Sequence, residues 1–140
     1  MIGASLISVV VAAVAAMIVG YAWYSPMLFG NKWMKLVGKT EKDMKKAKEK
    51  MGMAMVMMFA CALITAYVLG MFVKVAMTAG LGSGAMIGII TAVFAWLGFA
   101  ATLSYSKVLF EDMPMDLFYI DAGHHLVIYV LMGAIFGYMG

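Results

Sequence analysis

Asp121, His124 and His125 stand inside a hydrophobic run that opens at Leu117 and continues to Met139. An acid in such a run is costly. An Asp at the centre of a spanning helix is unfavourable by roughly 2.5–3.5 kcal/mol on insertion scales, and such residues face a protein interior or a water-filled cavity. Three chemistries are open to this set. Asp121 could bond a histidine, or hydroxyls on other helices, and so fix packing. Because histidine titrates near neutrality, Asp with His could relay a proton or ion, or hold a substrate in a small transporter. One Asp with two His is also a ligand set for zinc or another first-row metal. Adjacent His124 and His125 diverge by about 100° on a helix, which argues against one ion taking both. No metal site is assigned, and no cofactor is named by the sequence.

At helical spacing Asp121, His125, Tyr129, Gly133 and Gly137 form one i+4 ridge, with His124 beside it. Half of the ridge is polar and half is small. Partners for the polar half must come from other runs, where Thr102, Ser104, Tyr105 and Ser106 lie near the end of the third and Tyr21 and Tyr24 near the end of the first. The expected pocket is therefore lined by Asp121, His124, His125, Tyr24, Tyr105 and Thr102. Gly133-xxx-Gly137 permits close helix approach. A two-fold contact there would be self-complementary, so these glycines predict a homo-oligomer interface.

The elements that must position these residues are membrane helices. Of the 140 residues 66% are hydrophobic and only 12% charged, against about 45–50% and about 25% in soluble domains. Four apolar runs, 3–24, 53–73, 85–109 and 117–139, are each near or above the ~20 residues that cross a bilayer as a helix. Strands are excluded by length and by the lack of alternation. The first run has no basic leader and ends in Tyr-Ala-Trp-Tyr-Ser-Pro, so it reads as a retained helix rather than a cleaved signal. The expectation is an all-α, four-helix transmembrane protein with a single domain over 1–140. Small residues recur at four-residue spacing: Ala12, Ala16 and Gly20; Ala62, Ala66 and Gly70; Thr91, Ala95, Gly98 and Thr102. Such ridges suit a compact bundle.

The segment 31–52 is the polar exception and carries eight of the ten basic residues. Thr40 with Asp43 reads as an N-cap with an acid at the third position, opening a short helix to Lys50 that breaks near Gly52. By the positive-inside rule this Lys-rich loop is cytoplasmic, both termini lie outside, and the polar half of the fourth helix sits in the cytoplasmic leaflet. Anionic lipid headgroups are its expected partners. The net charge of +3 arises in this loop and gives no case for nucleic acid. Tyr21, Trp23, Tyr24 and Trp33 read as an interfacial aromatic belt.

Met51, Met55 and Met58 share a helix face, and thioethers are soft ligands for Cu(I). With 17 methionines spread over all the runs, the same residues read as packing side chains. Cys61, the only cysteine, is expected as a small buried residue. There is no P-loop, GxSxG or HExxH, and no nucleophile–base pair is visible, so an enzyme is not the favoured class and no catalytic residue is assigned.

Three patches carry a family resemblance: Gly20-Tyr-Ala-Trp-Tyr-Ser-Pro-Met-Leu-Phe-Gly30 with Lys32-Trp33-Met34; Leu109-Phe110-Glu111 with Leu117-Phe118; and Asp121-Ala-Gly-His-His125 leading to Leu131-Met-Gly-Ala-Ile135. Together they resemble the bacterial membrane proteins grouped as domain of unknown function family 1761, over nearly the whole chain. The resemblance implies four transmembrane helices in a bacterial inner membrane, and no activity. Two functions from different classes remain. The favoured one is a small transport or binding module with a cytoplasm-facing polar pocket. The alternative is a structural or interaction protein whose Asp/His cluster only fixes helix packing.

Overall fold

The computed structural model describes residues 4–140; Gly3, the expected start of the first helix, lies outside them. Four helices are long and apolar enough to span a membrane, and no strand occurs among the described residues. The chain is an all-α polytopic bundle.

Helix α1 (Leu6–Trp23) starts at Ser5, whose side chain accepts from the Ser8 amide. It ends three residues before Pro26, which cannot donate to a further turn. Two short helices fill the Lys-rich segment: α2 (Gly30–Val37) and α3 (Glu41–Glu49). At Thr40 the side chain accepts from the Asp43 amide while Asp43 accepts from the Thr40 amide, a reciprocal capping box. These bonds, the backbone one first, hold the Asp43 carboxyl below its ordinary range. The break expected near Gly52 falls instead at Lys50, and Gly52 lies in the first turn of α4 (Met51–Thr78).

Helix α4 continues past the expected end at residue 73. Lys74, expected in a loop, lies inside it, and its carbonyl accepts from the Thr78 hydroxyl at 2.8 Å. A lysine is tolerated there because its stem can run along the helix to the interface. The third span runs from Gly84 to Phe110 but is not one regular helix. It consists of α5 (Gly84–Ala95), a π-helical turn over Trp96–Ala101, and α6 (Thr102–Phe110). After a turn at Pro114 comes α7 (Met115–Met139).

Small residues make the core. Val9, Ala12, Ala16, Ala66, Leu69, Val73, Ala92, Ala95, Met132 and Phe136 form one buried cluster. The ridges of α1 and α4 are used largely as their spacing predicts, since Ala12, Ala16, Ala66 and Gly70 are buried. On the third span only Ala95 of the expected ridge is buried; Gly98 and Thr102 are exposed, and Gly88 and Ala92 make the contact instead. There α5 and α7 meet backbone to backbone. A Cβ on Gly88 would strike the Gly133 carbonyl, and one on Gly133 would stand 2.7 Å from the Ala92 Cβ.

This seam opens after the π turn. Helix α5 lies closely along α7, whereas α6 touches it much less. Helix α4 packs on α1, α5 and α7 but makes no substantial contact with α6. Its first eight residues, Met51 to Met58, are all exposed, and its buried positions begin at Ala66. The first half of α4 therefore stands away from the bundle.

Candidate functional site

Between the first half of α4 and the π turn and α6 lies a cavity of about 770 Å³, with the ends of α1 and α7 as its back wall. It sits at the end of the bundle that carries α2 and α3. On α7 its wall runs from His124 to Met132, about 12 Å of helix axis at 1.5 Å per residue. The wall is mostly apolar; Tyr24, Ser25, Ser104, Lys107, His124 and His125 give it polar groups toward the Lys-rich end, and Thr65 and Tyr129 lie deeper along α4 and α7. No carboxylate among the described residues lines it.

The Asp/His cluster divides here. Asp121 is half-buried and accepts a 2.7 Å hydrogen bond from the Tyr24 hydroxyl. It does not line the cavity. The two residues on either side of it are tied through their carbonyls. Trp23 Nε1 donates to Ile120 O at 3.0 Å, and Trp96 Nε1 donates to Ala122 O at 2.9 Å. Two indoles and a phenol, from α1 and from the π turn, thus fix this stretch of α7.

The histidines face the cavity instead. His124 is only 7% exposed, and both its ring nitrogens, with Nδ1 of His125, have no hydrogen-bond partner among the described residues. Aromatic rings hold it: Tyr24 at 4.9 Å edge-on and Trp23 at 6.2 Å between centroids. Phe29 lies 4.8 Å from Trp23, and Trp33 lies 5.7 Å from Tyr24, so the loop after α1 and helix α2 back the cage. Gly20 lies under the ring, where a Cβ would stand 3.3 Å from His124 Nε2. No larger residue fits there without moving the imidazole.

Of the expected pocket, Tyr24, His124 and His125 line the cavity and Asp121 supports it through Tyr24. Tyr105 and Thr102 do not line it. Tyr105 packs on Phe118 at 5.6 Å, and the exposed Thr102 hydroxyl donates back to Gly98 O at 2.8 Å. Ser104 and Lys107 take their places. The π turn is the cause: an extra residue in the turn carries every later side chain round the helix, by about 100°. Trp96, Phe29 and Trp33 were not singled out as site residues. A tryptophan in mid-helix beside a polar run was the signal available for Trp96.

Gly133 and Gly137, expected at a subunit interface, are buried inside the bundle against Gly88 and Gly84. Backbone from α5 already occupies the face on which a self-complementary contact was expected. Cys61 is exposed rather than buried and lines the cavity. Met51, Met55 and Met58 do likewise; they are wall rather than packed core. No cluster of three or more His, Cys, Asp or Glu poised for a metal ion occurs among the described residues.

No curated protein and no solved structure matches the chain. The model of the family described as Protein of unknown function (DUF1761) matches residues 7–137, and the chain belongs to that family.

Proposed function

We propose that the protein binds a small molecule in this cavity, as a binding or transport module of a bacterial inner membrane. The observation that carries this reading is a mostly apolar space of about 770 Å³ with two imidazoles in its wall, three of whose ring nitrogens are closed over without a hydrogen-bond partner among the described residues, so that a small turn of either ring would present one to a ligand. Buried polar atoms are nearly always bonded, and each exception is unfavourable by about 1–3 kcal/mol. Ligand sites are concave, mainly apolar spaces of roughly 300–1,000 Å³ with a few placed polar groups. A ligand here completes what the protein leaves open. With the Lys-rich helices cytoplasmic and both termini outside, the cavity faces the cytoplasmic leaflet, and anionic headgroups lie against α2 and α3.

The structural alternative has support for Asp121 alone. Its bond to Tyr24 and the two indole bonds beside it tie α1, the π turn and α7 together. Native mass spectrometry on protein released from membranes in mild detergent separates the two readings. A stoichiometric adduct is expected, and Cys61→Trp should abolish it by filling the cavity from an exposed position. Protein that flies bare, or an adduct indifferent to Cys61→Trp, would leave the cluster as packing only.

A further inference from the structure

Resting on that reading, we infer that the ligand is a single-chain amphipathic acid, taken sideways from the bilayer between α4 and α6. Three observations converge on this class. The charge on the wall has one sign: among the described residues Lys107 is the only charged side chain lining it, and no Asp or Glu accompanies it. It lies one turn beyond Ser104 on α6, in the last turn, where its stem can follow the wall and its ammonium can reach the interface. Below it the two histidines line the wall, and a small turn of either ring aims an N–H at a head held there. An anionic head accepts from all of these; a cationic head would be repelled by Lys107 and would find no carboxylate.

The body of the ligand is set by the other walls. Thioether side chains of Met55 and Met58 and the ring of Phe99 face the space. Methionine walls adapt to flexible apolar chains. The cavity's run of about 12 Å along α7 is close to half of the ~30 Å hydrocarbon core, the depth of one leaflet. The route in follows from the packing. Helix α4 has no substantial contact with α6, and residues Met51 to Met58 are exposed, so the cavity opens toward the membrane. A chain can enter laterally while its head stays at the interface.

Cys61, native and on the wall, reports occupancy. The protein in nanodiscs would be alkylated with N-ethylmaleimide during titration with dodecanoic acid, its methyl ester, or dodecylammonium, at a pH where the acid is ionised. The acid should slow alkylation strongly, and the ester and the amine should not. Lys107→Gln should raise the half-protecting acid concentration about tenfold, the loss of one charge-assisted hydrogen bond. Lys107→Arg should restore it. His125→Gln tests the second donor in the same assay. Equal protection by ester or amine, or no effect of Lys107→Gln, overturns the acid head; no protection by any of the three overturns the single-chain class. If the adduct lost in Cys61→Trp exists but the acid fails here, this inference alone falls. A Cys61 that the reagent never reaches, in protein without an adduct, removes the cavity reading with it.

Discussion

Gly133→Ala is the smallest change that tests how this bundle is held together. The new Cβ would strike the Gly88 carbonyl and stand 2.7 Å from the Ala92 Cβ. Carbon atoms pack best at about 3.5–4.0 Å, so α5 and α7 must part by about 1 Å at this point. A gap of that size forfeits a quarter to a half of each dispersion contact along the seam. Overpacking of this kind is unfavourable by about 1–3 kcal/mol, while Gly to Ala in a helix returns roughly 0.5–1 kcal/mol. The two ranges leave a net destabilisation centred on about 1 kcal/mol and reaching about 2.5 kcal/mol, and the backbone-to-backbone clash with Gly88 places Gly133→Ala in the upper part of it. Gly52→Ala is the control: it lies in the first turn of α4 with nothing within 4 Å of a Cβ, so it should be neutral or slightly stabilising. Reversible unfolding in mixed micelles with increasing SDS, followed by tryptophan fluorescence, reads both. The destabilisation should not depend on protein concentration, because the seam is internal. A Gly133→Ala variant as stable as the native chain, or one that changes only a dimer dissociation, would refute the α5–α7 seam.

At Asp121, Asn keeps an acceptor for the Tyr24 hydroxyl and should leave stability within about 1 kcal/mol, whereas Leu strands that hydroxyl and should lose about 1–3 kcal/mol in the same unfolding assay; a Leu variant of native stability would show the bond to be idle. Because Asp121 does not line the cavity, Asp121→Asn should also leave ligand protection of Cys61 unchanged. Lys45→Cys, on α3, should be labelled by an impermeant thiol reagent only from the cytoplasmic side, and labelling from outside in intact cells would invert the topology.

The four spans were legible because an apolar run of twenty or more residues has few other physical fates. Thr40 and Asp43 were legible because a capping box is written in residues three apart. The site was half legible. The cost of Asp121 in lipid marked the right stretch of α7, and the hydroxyl of Tyr24 does meet it. What failed was phase and depth. Reading the third span as a uniform helix put Thr102 and Tyr105 on the inner face, and a π turn carries no periodicity signal that would correct this. Trp23 read as a belt residue because tryptophan at a helix end usually sits among headgroups; here its N–H turns inward to the Ile120 carbonyl. Gly133 and Gly137 announced close approach correctly, but small-residue spacing does not say whether the approaching backbone belongs to the same chain.

The cavity and the seam have one origin. Gly84 and Gly88 draw α5 onto Gly133 and Gly137 until backbones touch. Were the span regular, α6 would continue along α7 and close the space below His124. The π turn over Trp96–Ala101 prevents this, yet it does not free α7, because Trp96 from the same turn donates to the Ala122 carbonyl. One irregular turn thus releases α6 and anchors the helix it leaves. The irregularity weakens helix hydrogen bonding, and the buried, unpartnered imidazoles beside the cavity are unfavourable as well. A bundle whose core is largely alanine and glycine has little stability to set against both. Packing alone gives no reason to keep them together in one place; a ligand that bonds the imidazoles and fills the space beside the π turn gives one reason for both.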